Sequence, residues 1–185
     1  MSGRLVYVIG SSGVGKDTVL AGLRASLPAG SRVAFVPRAI TRPADAGGEH
    51  HVALSPAEFA VRRDAGLFAL HWDSHGLSYG VGREIDLWME AGLTVIVNGS
   101  RAYLNEALRR YPTLLPVVIT ASQATLRARL QARGRETASQ IDQRLARADA
   151  LSVDVAHAVR IDNTGPVEHA VEQLRKLLCP IGAET

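Results

Sequence analysis

Cysteine is all but missing from this chain. Cys179 is the sole thiol among 185 residues, so no intrachain disulfide can form, which fits a reducing compartment. Lysine is nearly as rare, with only Lys16 and Lys176 against 19 arginines. Charge is never gathered into a run. The net charge is +3 and the basic residues are spread along the chain, which gives no electrostatic footprint for nucleic acid. No apolar stretch approaches the roughly 20 residues of a membrane span. The first residues lead into a strand-like apolar run without the pattern of a signal peptide. The expectation is a cytoplasmic protein with neither a nucleic-acid nor a membrane partner. Internal repeats, low-complexity tracts and interdomain linkers are also lacking. With 46% apolar and 21% charged residues, the length suits one domain with a substantial core and room for an inserted lobe.

Against that background one stretch stands out. Gly10-Ser11-Ser12-Gly13-Val14-Gly15-Lys16-Asp17-Thr18 fits G-x-x-x-x-G-K, the core of a phosphate-binding loop. Glycines let the backbone turn tightly and bring its N–H groups close to phosphate oxygens. Lys16 adds a mobile cation for the outer phosphates, and the following helix directs its positive end at the same anion. A composition so averse to lysine still places one here, where a compact ammonium suits the site better than a planar guanidinium. The flanks agree: 4–9 is an apolar run that reads as a buried strand, and 17–27 reads as a helix with Val19, Leu20, Leu23 and Leu27 at helical spacing. The alternative is a Gly/Ser turn that happens to contain a lysine. The position after Lys16 is normally Ser or Thr, whose hydroxyl ligates Mg²⁺. Here it is Asp17, with Thr18 next. A carboxylate is also a hard oxygen ligand, so Asp17 and Thr18 are candidates for the metal or its waters, with a helix cap as the other role for Asp17.

The remainder alternates strands and helices, which predicts a doubly wound parallel sheet of the α/β class. Strands are expected at 32–39, 49–54, 94–97, 114–120 and 159–161. Helices are expected at 83–91, 101–111, 122–132 and 167–178. Ser55-Pro56-Ala57-Glu58 and Thr137-Ala138-Ser139-Gln140 read as capping boxes that open helices to about 65 and 150. Residues 67–72 and 77–79 flank Ser74-His75-Gly76 as a hairpin. The expected division is a core of 1–37, 81–132 and 151–185, an inserted lobe of 38–80 and a lid of 133–150. Phe68 and Trp72 read as core rather than as base-stacking platforms.

Two further groups carry charge suited to chemistry. Arg133 and Arg135 sit in a charged turn, followed by Arg144 and Arg147 at a spacing that shares one helix face. Such arginines near a phosphate loop can neutralise charge in phosphoryl transfer; a solvated helix face is the plainer reading. The lobe holds Arg38, Arg42, His50, His51, His71, His75 and Arg83, so four of the six histidines fall between 50 and 75. Arginine forks mixed with imidazoles suit a small polyanion. Zinc is the competing reading. It is disfavoured because adjacent His50 and His51 point opposite ways on a strand and no cysteine lies nearby.

The motifs together resemble the guanylate kinase family over nearly the whole chain. The matching elements are the phosphate loop, Thr41-Arg42-Pro43, the hairpin with Phe68 and Trp72, Gly80, Arg133-Gly134, Gln143-Arg144-Leu145 and Ile161-Asp162-Asn163. The resemblance implies ATP bound with Mg²⁺ by residues 10–18, Arg133 and Arg144 on the transferring phosphates, Asn163 at the adenine and Arg42 on the acceptor phosphate. The departures lie on the acceptor side. The family's second phosphate arginine is Asp45 here, its phosphate-binding tyrosine is His51, its guanine-reading glutamate is His71, and an acidic residue on the following strand is Asn98. An imidazole cannot accept both guanine N–H groups as a carboxylate does. The stretches 15–17, 40–49, 67–72, 75–77, 79–80 and 97–101 are similar to those of the family's ribose 1,5-bisphosphate phosphokinase branch. That resemblance implies a small-molecule kinase making 5-phosphoribosyl 1-diphosphate in phosphonate breakdown, with Arg38, Arg42, His51, His71 and Tyr79 at the substrate. A guanylate kinase proper and a non-catalytic binding module are the alternatives, and a homo-oligomer is left open.

Overall fold

The computed structural model describes residues 3–46, 49–134, 137–150 and 157–178; the side chains of residues 133, 144 and 147–150 lie outside that description, as does Arg135. Described strands form two sheets. A five-stranded sheet has the order β2-β7-β1-β8-β9, from β1 (Arg4–Gly10), β2 (Val33–Phe35), β7 (Thr94–Asn98), β8 (Leu115–Thr120) and β9 (Val159–Asp162). A four-stranded sheet has the order β4-β3-β6-β5, from β3 (Ala39–Ile40), β4 (Val52–Ala53), β5 (Phe68–Ser74) and β6 (Leu77–Gly82). The β2–β7 and β8–β9 pairs are parallel. The described residues also form seven helices: α1 (Lys16–Ser26), α2 (Pro56–Asp64), α3 (Glu84–Glu90), α4 (Leu104–Arg110), α5 (Gln123–Arg133), α6 (Ala138–Ala150) and α7 (Val167–Leu178). The architecture is α/β with a central parallel sheet, as the alternation of elements requires.

The chain divides into two compact units. One holds Met1–Tyr7, Gly30–Asn98 and Ala102–Leu114; the other holds Val8–Ala29, Gly99–Arg101 and Leu115–Thr185. In the second unit α1 packs on α7, with Val19 and Leu23 on one side and Ala170, Leu174 and Leu178 on the other, all buried. The caps anticipated from sequence are present. Ser55 Oγ accepts from Glu58 N (3.1 Å), while the Glu58 carboxylate pairs with Arg62 one turn on. At the start of α6 the box is reciprocal: Thr137 N donates to Gln140 Oε1 (2.8 Å) and Gln140 N donates to Thr137 Oγ1 (3.3 Å).

Three boundaries differ from the sequence reading. The strand expected at 32–39 is two strands in different sheets. Val36 N still bonds the Ile96 carbonyl, but Pro37 has no N–H to give and the Arg38 carbonyl accepts from Val52 instead. The strand expected at 49–54 shrinks to Val52–Ala53, because Glu49 is drawn away by a charged partner described below. The helix expected from 101 begins at Leu104; Tyr103 is held as its cap residue, with its ring on Trp72.

The hairpin is the scaffold of the first unit. Its tip puts His75 (φ 52°) and Gly76 (φ 74°) both in the left-handed region, the geometry of a two-residue turn that matches strand twist. A register irregularity between Phe68 and Leu70 puts Phe68 and His71 on one face, with their rings 6.5 Å apart. The Phe68 ring lies over Gly80, where an added Cβ would sit 2.5 Å from Cε1. Gly80→Ala should therefore overpack the hairpin and cost about 1–3 kcal/mol. Urea unfolding checks this: the midpoint should fall while the slope is unchanged.

Candidate active site

The phosphate-binding loop belongs to the second unit. Gly13 (φ 87°) and Gly15 (φ 88°) take left-handed backbone, which a side chain would strain. Gly15 is the N-cap of α1 and no side chain caps the helix. Asp17 is thus not the cap; it sits in the first turn, 59% exposed, with Oδ1 3.9 Å from Lys16 Nζ. The Val14 carbonyl is held from two distant places. Asn163 Nδ2 donates to it at 2.7 Å and Arg129 Nη1 at 3.1 Å. Asn163 is only 2% exposed, and its turn is set by Asp162, whose Oδ1 accepts from Thr164 N and Oγ1. Fixing the carbonyl fixes the Val14–Gly15 peptide plane, so the Gly15 N–H keeps the opposite direction. Asn163, expected at the adenine, gives an amide N–H to the loop, while its Oδ1 is buried with no hydrogen-bond partner among the described residues. Arg129 was not anticipated; its signal was only its place one turn before Arg133.

Arg133 ends α5 and Arg144 lies within α6. The turn between the helices begins at Gly134, whose left-handed φ of 62° caps α5.

The expected acceptor residues lie in the first unit, and the structure sorts them. Arg38 is 8% exposed. Its fork meets the Glu49 carboxylate edge-on, with Nε 3.1 Å from Oε2 and Nη2 on Oε1. Its guanidinium also lies over Tyr79 (4.9 Å to the ring centroid) and Trp72 (5.7 Å), a favourable cation–π arrangement. Tyr79 and Trp72 are parallel within 4° at 5.7 Å, and Tyr103 stacks on Trp72 at 5.4 Å. Burial, above all, pushes the Tyr103 hydroxyl upward in pKa, and it bonds the His71 backbone. Trp72, at 8% exposure, is the middle of this column. His71 immediately precedes Trp72 on β5 and so projects from the other face, beside Phe68.

Arg42 and His51 form a second group. Arginine can only donate, so His51 Nδ1 accepts from Arg42 Nη2 (3.2 Å) and the Nε2–H donates to the Arg42 carbonyl (3.2 Å). Arg42 Nε is buried with no hydrogen-bond partner among the described residues. Such an orphaned donor costs about 1–3 kcal/mol, and an anionic oxygen would relieve it. The structure thus joins Arg38 with Tyr79 and Arg42 with His51, and leaves His71 apart. Glu49 and Tyr103 were missed in the sequence. Glu49 follows paired glycines in an ordinary polar loop, and nothing local marks it. Among the described residues no cluster of His, Cys, Asp or Glu could hold a metal ion by itself.

The fold and the loop define a P-loop protein of guanylate kinase-like architecture. A solved guanylate kinase from Anaplasma phagocytophilum matches with a TM-score of 0.70 over 100% of this chain and 89% of that one, at 17% identity, a likeness of fold alone. No protein-family model matches the chain. Among curated proteins, the ribose 1,5-bisphosphate phosphokinase PhnN of Desulfomicrobium baculatum is 54% identical, covering 95% of this chain and 94% of that protein. The proteins of the same name from Yersinia pestis and Thiobacillus denitrificans are 51% and 49% identical, again over 95% of this chain, and 91% and 93% of theirs. The chain belongs to the ribose 1,5-bisphosphate phosphokinase family.

The clamp on Val14 makes a prediction. Asn163→Asp sets carboxylate oxygen against carbonyl oxygen, and losing one buried hydrogen bond costs about 1–3 kcal/mol. Nucleotide affinity should drop by roughly tenfold or more, read by calorimetric titration of ATP, with less effect on any acceptor ligand.

Proposed function

We propose that this protein transfers the γ-phosphoryl group of MgATP to the 1-phosphate of ribose 1,5-bisphosphate, giving 5-phosphoribosyl 1-diphosphate and ADP. The observation that carries the reading is the 54% identity to a ribose 1,5-bisphosphate phosphokinase across 95% of the chain. A phosphate oxygen of the acceptor attacks the γ-phosphorus, and the bond from that phosphorus to the β,γ-bridging oxygen breaks as ADP leaves. No general base is required, because the attacking oxygen is already anionic.

The residues take roles accordingly. Loop amides between Gly10 and Thr18 and the Lys16 ammonium, 17% exposed at the loop, hold the ATP phosphates. Magnesium on phosphate needs only one or two protein oxygens, and the exposed carboxylate of Asp17 and hydroxyl of Thr18 fit that demand as hard donors. The metal supplies charge neutralisation on the transferring group. Arg133 and Arg144 are assigned to the same developing charge. Arg42, with its unsatisfied Nε, grips an acceptor phosphate; His51 orients it, Arg38 and Tyr79 form the wall beside it, and His71 excludes guanine by offering no carboxylate. The setting is phosphonate catabolism. Among the described residues no helix is long and apolar enough to cross a membrane, and cytoplasmic residence is proposed on that footing with the lone cysteine.

Two outcomes test the reading. Lys16→Ala should reduce turnover at least ~100-fold, the scale of losing a preorganised charge at a transferring phosphate, in a protein that still melts cooperatively. Product chromatography with matched acceptors should give 5-phosphoribosyl 1-diphosphate from ribose 1,5-bisphosphate and little GDP from GMP, a discrimination of roughly 10⁴-fold where buried polar groups go unpaired. Preferred turnover of GMP would return the assignment to a guanylate kinase.

A further inference from the structure

One half-buried carboxylate in the first unit is used by neither ligand in the reading above, yet three donors converge on it. Glu49 accepts from Arg38 Nε at Oε2, from Arg38 Nη2 at Oε1, and from Asn98 Nδ2 at Oε2 (3.0 Å). Its side chain is 16% exposed and that of Arg38 is 9%, so the pair is largely out of water. Two residues along the chain from Glu49, His51 is bonded at both ring nitrogens to Arg42. Glu49 therefore joins the guanidinium stacked on Tyr79 to the end of β7 at Asn98, and through the short stretch of backbone to His51 it anchors the loop bearing Arg42.

We propose that Glu49 and Asn98 are a matched positioning pair that holds the Arg38 and Arg42 segments in the geometry that takes the bisphosphate acceptor; the inference rests on the substrate reading above. The chemistry of the pair is specific. A carboxylate at 98 would face the Glu49 carboxylate at hydrogen-bond distance, and two like charges so close disfavour each other's ionised form. The amide at 98 instead supplies a donor without adding charge. The acidic residue expected at 98 from the guanylate kinase pattern is thus incompatible with an ionised Glu49 in this position. Glu49 also balances the charge of Arg38, so the second cation stays buried beside the aromatic column rather than drawn out to solvent. Removing one member of a buried ion pair leaves the other uncompensated, which would release Arg38 and slacken the loop that carries Arg42.

The pairing makes a coupling that a general loss of structure does not. Wild type, Asn98→Asp, Glu49→Gln and the double variant are compared in steady-state kinetics, with ribose 1,5-bisphosphate and ATP varied separately. Each single variant should raise the acceptor KM about tenfold, the scale of one buried charged hydrogen bond, and leave the ATP KM within about twofold. In the double variant the introduced amide can donate to the introduced carboxylate, so its effect should fall below the product of the single effects by about fivefold or more. Multiplicative effects, or an equal rise in the ATP KM, overturn the proposal. If Asn98→Asp does not fold, the double variant is set against Glu49→Gln alone: an acceptor KM no higher supports the pairing, and a higher one overturns it. A wild type inactive on ribose 1,5-bisphosphate overturns the substrate reading and this inference together, whereas an active wild type with uncoupled variants overturns this inference alone.

Discussion

Everything chemical in the second unit depends on one peptide plane, that of Val14. Phosphate binding by backbone requires several N–H groups to point one way, and that leaves their carbonyls pointing the other way into protein, where each needs a donor. Asn163 and Arg129 supply both donors for Val14. The glycines at 13 and 15 permit the conformation, but permission is not enforcement, since glycine visits many others at similar cost. The buried amide and the guanidinium turn a permitted loop into a fixed one. They also bind the loop to α5 and to the turn after β9, so the beginning and the end of the chain are joined at the nucleotide side.

The first unit solves a different electrostatic problem. On the proposed reading a bisphosphate calls for cations here, yet two arginines left loose near each other repel and cost side-chain entropy to order. Here each is restrained by a partner suited to its task. Arg38 is neutralised by Glu49 and stacked on aromatic rings, which makes it part of the wall. Arg42 is held by the His51 imidazole, which orients the fork without setting a carboxylate's charge against it. A carboxylate in place of His51 would orient the fork equally well and would also oppose an anionic ligand. The preference for arginine over lysine fits this economy, because planar forks can be pinned from the edge and stacked on the face at once.

Local patterns made much of this legible in advance. The phosphate loop is nine consecutive residues between a strand and a helix, and all its determinants are near neighbours. The capping residues Ser55 and Thr137, the hairpin tip at His75-Gly76 and the apolar run at 94–97 are likewise short-range signals. The boundaries went astray where a distant partner intervened. The run from 32 to 39 has strand composition throughout, but it is divided between two sheets because Val52 and Ile96 claim its hydrogen bonds on either side of Pro37. Tyr103 has helical neighbours, yet its ring is spent on Trp72, thirty-one residues earlier by their numbering.

What the sequence determined by itself was therefore the class of fold and the glycine-rich P-loop, since both are written in contiguous residues and local periodicity. What only the tertiary structure decided was which charges are available. Arg38 and Arg42 look alike in the sequence, four residues apart. One is buried under a carboxylate and the other keeps an unsatisfied donor. The clamp on Val14 comes from residues 115 and 149 positions away. The state of a charge depends on what lies within a few ångströms of it, and the energies fall off with distance through space rather than along the chain, so no local pattern could have told them apart.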